Sequence, residues 1–227
     1  MSNPERDPRL TRLLESAALL QNLVPDAVLV GGSAAALYAG HRLSFDHDHV
    51  VTDLENRFQL VLEALETDPE FVVNRVTPGK IILGEHDGIE YGIRQLIRVR
   101  PFETVEEVLP SGRKVTVPTI EEVIRIKAYL IVKRNWTRDY LDLAALAAIY
   151  GFTETALTLT SIDDFYSDPT QEQGSVATQL LSMLLEPSPR DKSMIRKLKT
   201  YKNLNEKWHN WNDICEVLST VAIKIGG

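Results

Sequence analysis

A strict alternation of carboxylate and imidazole side chains, Asp46-His47-Asp48-His49, constrains the fold of this chain more than any other feature. The segment 45–51 is typical of a β-strand, whose successive side chains point to opposite faces. Asp46 and Asp48 are therefore predicted to share one face, and the two histidines the other. This geometry excludes a single metal site built from all four side chains, because such a site needs ligands that converge on one ion.

The two carboxylates are predicted to lie about 6–7 Å apart at Cα, which is the repeat distance along one face of a strand. Paired carboxylate oxygens suit a Mg²⁺ or Mn²⁺ ion that also keeps waters and phosphate oxygens. The alternative is an exposed strand end with two solvated carboxylates. For His47 and His49, packing or hydrogen bonding on the opposite face is favoured over ligand roles. Ligand roles would instead indicate a metal-dependent phosphohydrolase.

A glycine turn, Gly31-Gly32-Ser33, follows a short apolar segment, Ala27–Val30, that is typical of a buried strand. The alanine-rich segment after the turn predicts a helix over 33–39 that ends at Gly40. A glycine turn at the start of a helix presents backbone N–H groups and the positive end of the helix dipole, which suits a phosphate. The alternative is an ordinary turn with Ser33 as the N-cap.

The remaining patterns predict an α+β chain with an N-terminal α/β half, 1–118, and a C-terminal helical half, 119–227. Strands are predicted over 27–30, 45–51, 71–76, 80–84, 89–97 and 113–117. Helices are predicted over 10–20, 33–39, 52–67 with Thr52 as the cap, from Thr119 onward, and over 137–150, 171–185, 191–200 and 208–225.

Composition narrows the class of protein. The 227 residues are 44% hydrophobic and 25% charged, as in an ordinary globular chain. No apolar run reaches the roughly 18 residues of a membrane span, and the first residues lack the apolar core of a signal peptide. The single cysteine, Cys215, cannot form an internal disulfide. We therefore expect a cytoplasmic protein without a membrane partner.

Charge is distributed unevenly within the net charge of −7. The segment 190–207 carries seven lysines and arginines against two acids. Such a run is typical of a solvated helix face. With Tyr201 inside it and Trp208 just after, it is also consistent with a surface that holds an RNA backbone and stacks bases. The overall acidity favours a small or protein acceptor instead.

Two segments carry a resemblance to a known family. "GGSAAALYAGHRLSFDHD" joins the glycine turn to the two aspartates across one short helix, and "TIEEVIRIKAYLIVKRNWTRDYLDLAAL" follows later in the chain. Together they resemble the nucleotidyltransferase superfamily, and in particular the AbiEii/MenT-type toxin nucleotidyltransferases of type IV toxin–antitoxin pairs. The resemblance covers roughly 28–146. It implies a nucleotidyltransferase-like mixed sheet with helices in the N-terminal half, and a helical region that completes the cleft.

The resemblance also implies roles for individual residues. Asp46 and Asp48 would bind Mg²⁺ or Mn²⁺, Lys127 would neutralise phosphate charge, and Asp142 would close the site from the helical half. Glu90, the carboxylate of the predicted strand 89–97, would be the third catalytic acid. The residues implied to bind the nucleotide are Gly31, Gly32, Ser33, Arg42 and Lys127. On its own, Lys127 is equally consistent with an exposed helical lysine that contributes little to stability.

The activity implied is Mg²⁺-dependent transfer of a nucleoside monophosphate from an NTP to an acceptor hydroxyl. The acceptor would be RNA, tRNA in particular, or a protein, and the chain would be the toxin beside a cognate antitoxin. The alternative is a module of the same fold that binds a nucleotide or a partner without catalysis. The early position of Glu90 in its strand favours that alternative.

Overall fold

The computed structural model describes residues 6–98, 100–167 and 174–226. Contacts within the chain divide it into two compact units. Unit 1 comprises Met1–Ile97 and Pro101–Thr119, and unit 2 comprises Arg98–Arg100 and Ile120–Gly227. The architecture is α+β, as the sequence predicts. That the halves 1–118 and 119–227 are separate domains stays a prediction.

In the part of unit 1 that the structure describes, there are a mixed sheet, a β-hairpin and three helices. Its strands are β1 (Val28–Val30), β2 (Asp46–Val51), β3 (Phe71–Thr77), β4 (Ile81–His86), β5 (Ile89–Gln95), β6 (Thr104–Val108) and β7 (Lys114–Pro118). Its helices are α1 (Pro8–Leu23), α2 (Gly31–Ala39) and α3 (Leu54–Glu66). The five-stranded sheet has the order β1-β2-β5-β4-β3, and β6 pairs with β7. Among the described strands, β2 and β5 are the only parallel neighbours, and the other pairs are antiparallel.

The two faces of the five-stranded sheet differ in what they carry. Burial alternates along β2, with half-buried Asp46 and Asp48 on one face and buried His47 and His49 on the other, as strand alternation predicts. We call the first the carboxylate face and the second the histidine face. Apolar residues of α1 and α3 pack against the histidine face, where they form a core with Tyr91 and Ile93 of β5.

Three imidazoles are buried on the histidine face. Ser16 Oγ of α1 lies 3.1 Å from His47 Nε2 and 2.9 Å from His86 Nδ1. The rings of His47 and His49 meet edge to face at 5.1 Å. His86 stacks on Phe71 at 4.2 Å. His47 and His49 are therefore packed or hydrogen-bonded on the face opposite the carboxylates, which is the interpretation that the sequence favours.

Unit 2 consists of six helices and short 3₁₀ turns within the described residues. The helices are α4 (Ile120–Arg134), α5 (Thr137–Tyr150), α6 (Phe152–Thr160), α7 (Val176–Leu185), α8 (Lys192–Ile195) and α9 (Trp211–Gly226). A buried ion pair ties the segment 98–100 to this unit, since Arg98 Nη1 lies 2.6 Å from Glu122 Oε2. Arg125 binds the other oxygen of Glu122, also at 2.6 Å.

Several predicted elements differ from the structure. The cap at Thr52 is wrong, because α3 begins at Leu54 without a side-chain cap and Gln95 Oε1 accepts from the Glu55 N–H. The predicted helix over 191–200 is wrong after Ile195, where α8 ends. Lysines and arginines spaced four apart, such as Lys192 and Arg196, repel one another along a helix. Strand β6 and helix α6 were not predicted. Residues 171–173 of the predicted helix 171–185 lie outside the described residues.

In the part of the chain that the structure describes, no helix by itself has both the length and the apolar composition that crossing a membrane requires. One pair meets these two criteria jointly, α5 with α6, and it is bent by 118°.

The buried imidazoles predict a dependence of stability on pH. Burial, followed by the nearby His86, lowers the pKa of His47 to about 3, and burial also lowers the pKa of His49. In the unfolded chain both groups titrate near pH 6.5. Below that pH the unfolded state binds more protons, so the free energy of unfolding falls as the pH falls. The expected slope is up to about 1.4 kcal/mol per pH unit for each histidine.

Chemical denaturation between pH 8 and pH 4 measures this slope. His49→Phe is the matched comparison, because it keeps a buried ring and removes one titrating group. It also removes Nε2, which has no hydrogen-bond partner among the described residues. A slope in His49→Phe as steep as in the wild type would show that this imidazole is not a source of the pH dependence.

Candidate active site

The carboxylate of Asp48 occupies a space that two glycines leave open. A Cβ atom at Gly31 would lie 3.3 Å from Asp48 Oδ2, and one at Gly92 would lie 2.8 Å from Asp48 Oδ1. Gly31 also has a φ of +77°, which disfavours any other residue. Because Gly31 follows β1 and Gly92 belongs to β5, the backbone approaches the carboxylate from both sides of β2.

Helix α2 begins beside this carboxylate. It starts at Gly31, one position beyond Val30, which provides no side-chain cap. The first N–H groups of a helix have no partner within it, and they carry the positive end of its dipole. The predicted helix end at Gly40 is confirmed, since Gly40 has a left-handed conformation and its N–H donates to Ala36 O.

Ser33 is buried in the first turn of α2 and is not its N-cap. Its Oγ donates to the backbone O of Asp46 at 2.6 Å. Ser44 Oγ lies 3.2 Å from the same oxygen and 3.4 Å from Asp46 Oδ1. These hydroxyls therefore hold the start of β2 against α2. That Ser33 contacts a phosphate stays a prediction.

The buried guanidinium of Arg42 packs against the glycine turn. A Cβ atom at Gly32 would lie 2.7 Å from Arg42 Nη2 and 3.0 Å from Ser44 Oγ. Arg42 Nη1 donates to Leu43 O at 3.0 Å. The positive charge of Arg42 therefore lies beside the first turn of α2, where it adds to the helix dipole.

Glu90 lies on the carboxylate face, on the strand next to the two aspartates. The parallel register of β2 and β5 pairs Asp46 with Glu90, Asp48 with Gly92, and Val50 with Arg94. Paired residues project to the same face, so Glu90 neighbours Asp46. Arg94 Nε lies 3.5 Å from Asp48 Oδ1.

Gly92 is the residue of this site that the sequence predictions missed. A glycine inside a strand pattern marks a bulge or a close approach, and the segment "IEYGIRQ" contains that signal.

Lys127 and Asp142 form an ion pair inside unit 2. Lys127 Nζ lies 2.7 Å from Asp142 Oδ2, and both side chains are buried, at 2% and 0% exposure. The interpretation of Lys127 as an exposed lysine that contributes little to stability is wrong. That these two residues share a cleft with Asp46 and Asp48 stays a prediction. Asp139 is held by Arg134 through two bonds of 2.6 and 2.7 Å.

The basic segment 190–207 is largely exposed, but Trp208 is not available for stacking. Trp208 is 4% exposed, with Lys207 Nζ over its ring at 4.9 Å. The suggestion that it stacks bases is therefore wrong. The exposed aromatic near this segment is Trp136, at 42%. Asn135 O accepts from the Arg190 N–H, which places the start of the basic segment beside Trp136.

Two carboxylates beside the N-terminus of a helix fit a divalent ion that keeps water and phosphate ligands. Asp46 and Asp48 supply hard oxygen donors on one face, and the glycines at 31 and 92 leave room for the Asp48 carboxylate. Within residues 6–98, 100–167 and 174–226, no three His, Cys, Asp or Glu side chains group closely enough to hold a metal ion. An ion at this site would therefore take two protein carboxylates at most from the described residues.

Comparison with solved structures identifies the fold. The crystal structure of JHP933 from Helicobacter pylori has a TM-score of 0.51 at 17% identity, and covers 96% of this chain and 92% of that chain. The crystal structure of an antigenic nucleotidyltransferase-like protein from Paracoccidioides brasiliensis has a TM-score of 0.51 at 15% identity, with coverages of 90% and 98%. The chain has the nucleotidyltransferase fold. In this nucleotidyltransferase fold, the glycine turn and the two aspartates lie side by side, as the resemblance implies.

Sequence comparison gives a different kind of relative. No model of a protein family matches the chain. The heme uptake protein MmpL11 of Mycobacterium tuberculosis (strain ATCC 25618 / H37Rv) is 30% identical over 216 residues, which cover 83% of this chain and 20% of that protein. The chain therefore spans about a fifth of the length of the curated relatives it matches.

The space beside Asp48 can be tested by filling it. Gly92→Ala places a methyl group 2.8 Å from Asp48 Oδ1, so we expect the carboxylate to move. Affinity for Mn²⁺, measured by the electron paramagnetic resonance signal of the free ion, should fall about tenfold. Gly226→Ala is the control, since a Cβ there meets no atom within 4 Å. Unchanged Mn²⁺ affinity in Gly92→Ala would contradict the role given to Asp48.

The buried ion pair predicts a large effect on stability. Lys127→Ala leaves the Asp142 carboxylate buried without its cation, so the free energy of unfolding should fall by about 3–5 kcal/mol. Lys127→Met combined with Asp142→Leu removes both charges and should recover most of that loss. Urea denaturation of the three proteins measures both effects. Wild-type stability in Lys127→Ala would show that the pair is not formed in solution.

Proposed function

We propose that this protein is a Mg²⁺-dependent nucleotidyltransferase that moves a nucleoside monophosphate from an NTP to an acceptor hydroxyl. The observation that carries the proposal is the close contact between the start of α2 and the Asp48 carboxylate. It brings a site for anionic phosphate and a site for a divalent cation together, and an NTP binds as a complex with such a cation.

The parts of the site receive distinct roles. The free N–H groups of Gly31, Gly32 and Ser33 bind the terminal phosphates, with the Arg42 guanidinium beside them. Asp46 and Asp48 hold Mg²⁺ or Mn²⁺. When bound, the ion supplies charge neutralisation to the phosphates. Lys127 can assist the phosphates only if it leaves Asp142, because the pair now satisfies its charge.

The reaction is an in-line displacement at the α-phosphorus. The acceptor oxygen forms a bond to phosphorus, the bond from phosphorus to the pyrophosphate oxygen breaks, and pyrophosphate leaves. The acceptor hydroxyl gives its proton to a carboxylate. Glu90 is the proposed base, because it neighbours Asp46 across the parallel pair on the same face.

RNA, tRNA in particular, and protein are the proposed acceptors, and a toxin role beside a cognate antitoxin is part of the proposal. The exposed basic segment and the exposed Trp136 of unit 2 support RNA, since a cationic surface with an aromatic ring suits a single strand. Trp136 lies near two guanidinium groups, those of Arg134 at 5.4 Å and Arg138 at 4.8 Å.

A second candidate is a nucleotide-binding module without catalysis. Two observations favour it. Glu90 does not form a close three-carboxylate group with Asp46 and Asp48. The heme uptake protein MmpL11, of which this chain matches a fifth, is also not named as a transferase.

Glu90→Gln separates the two candidates. It preserves size and removes charge, so transfer should fall at least about 100-fold, whereas binding of the Mg²⁺–NTP complex should persist. The assay incubates the protein with each labelled NTP, Mg²⁺ and either total RNA or total protein, and follows label on the macromolecule. Binding by the wild type without any labelled product would favour the module.

Glu85→Gln is the matched control for this assay. Glu85 pairs with Glu90 on the neighbouring strand β4 and projects to the same face. Its loss changes the same net charge but removes no proposed role, so we expect near wild-type transfer. Full transfer by Glu90→Gln would place the catalytic base elsewhere.

A further inference from the structure

A groove in unit 1 shares Arg94 with the surroundings of Asp48, and its other lining residues have no proposed role in transfer. Its volume is about 900 Å³, and its lining includes Glu55, Phe58, Lys80, Ile81, Arg94 and Ile97. Ligand pockets for small molecules have volumes of roughly 300–1,000 Å³. The groove is therefore large enough for a ligand of nucleotide size.

Arg94 links the groove to the Asp48 carboxylate. Arg94 lines the groove, and its Nε lies 3.5 Å from Asp48 Oδ1. Arg94 lies two residues after Gly92 on the carboxylate face of β5, and Ile81 of β4 pairs with it. Arg94 therefore connects the groove to the carboxylate face, although Asp48 itself does not line the groove.

The groove and the glycine turn lie on different sides of β2 in the order of the sheet. The phosphate site at Gly31 lies on the β1 side of Asp48, whereas Gly92 and Arg94 lie on the β5 side. The attacking and leaving oxygens stand on opposite sides of the transferred phosphorus. If the pyrophosphate end of the NTP rests against α2, the acceptor approaches from the side of the groove.

The lining determines which acceptor fits. Phe58, Ile81 and Ile97 provide apolar contact, and Ile97 is 84% exposed. Lys80 and Arg94 are cationic, against the single acid Glu55. Within the described residues, Lys80 forms no ion pair. A ligand with a planar apolar body and an anionic group would satisfy both properties.

We propose that this groove is the acceptor site, and that it selects an acceptor with a planar ring and a phosphate or carboxylate group. That the bound ligand is the acceptor rests on the proposed function, whereas binding of a ligand by the groove does not depend on transfer. Lys80 holds the anionic group, and Ile97 covers the ring. Arg94 orients the ligand next to Asp48.

Phenyl phosphate is the probe, because it combines a ring with one anionic group. Its affinity is measured by titration calorimetry without nucleotide, beside phenol and inorganic phosphate. Lys80→Ala should weaken phenyl phosphate about tenfold, as loss of one charge-assisted hydrogen bond implies. Lys224→Ala is the control, since Lys224 is an exposed lysine of α9. Ile97→Ser should weaken phenyl phosphate but not inorganic phosphate.

Equal phenyl phosphate binding by the wild type, Lys80→Ala and Lys224→Ala would overturn the groove as an anion site. Equal affinity for phenyl phosphate and inorganic phosphate would overturn the role of the ring. In the transfer assay, phenyl phosphate should raise the KM of the acceptor and leave that of the NTP unchanged. Inhibition competitive with the NTP would overturn the assignment to the acceptor. Failure of the proposed function is distinct: no transfer by the wild type, with binding of the probe still dependent on Lys80.

Discussion

The close approach of backbone to the Asp48 carboxylate is the constraint on which the site depends. Two glycines permit this approach from either side of β2: Gly31 at the start of α2, and Gly92 inside β5. Without these glycines the Asp48 carboxylate, the start of α2 and β5 would be held further apart. A cation held by Asp48 would therefore lie beside the helix N-terminus, where phosphate is favoured.

The strand that carries the carboxylates is held in place by its other face. His47 and His49 are fully buried, with His47 beside Ser16 of α1 and Tyr91 of β5, so β2 cannot slip by one residue without moving imidazoles to the carboxylate face. The hydrogen bond from Ser33 to the Asp46 carbonyl adds a second restraint at the start of the strand. Packing on the histidine face therefore fixes the orientation of Asp46 and Asp48 on the carboxylate face.

The sequence predicts the parts of the fold that local pattern controls. Alternation predicts the two faces of β2, and the helix over 137–150 agrees with α5 at both ends. Long-range contacts are different. The pairing of Lys127 with Asp142, the burial of Trp208 and the space that Gly92 leaves for Asp48 depend on which elements become neighbours in space. Neither charge nor hydropathy along one segment reveals such neighbours.

The most direct test of the central claim is a titration of the wild type with ATP, GTP, CTP and UTP, with and without Mg²⁺, followed by the backbone amide resonances. At least one NTP should shift the amides of Gly31, Gly32 and Ser33, the shifts should need Mg²⁺, and Asp48→Asn should abolish them. Shifts confined to residues far from β2, or unchanged without Mg²⁺ and in Asp48→Asn, would contradict binding of an Mg²⁺–NTP complex between α2 and Asp48.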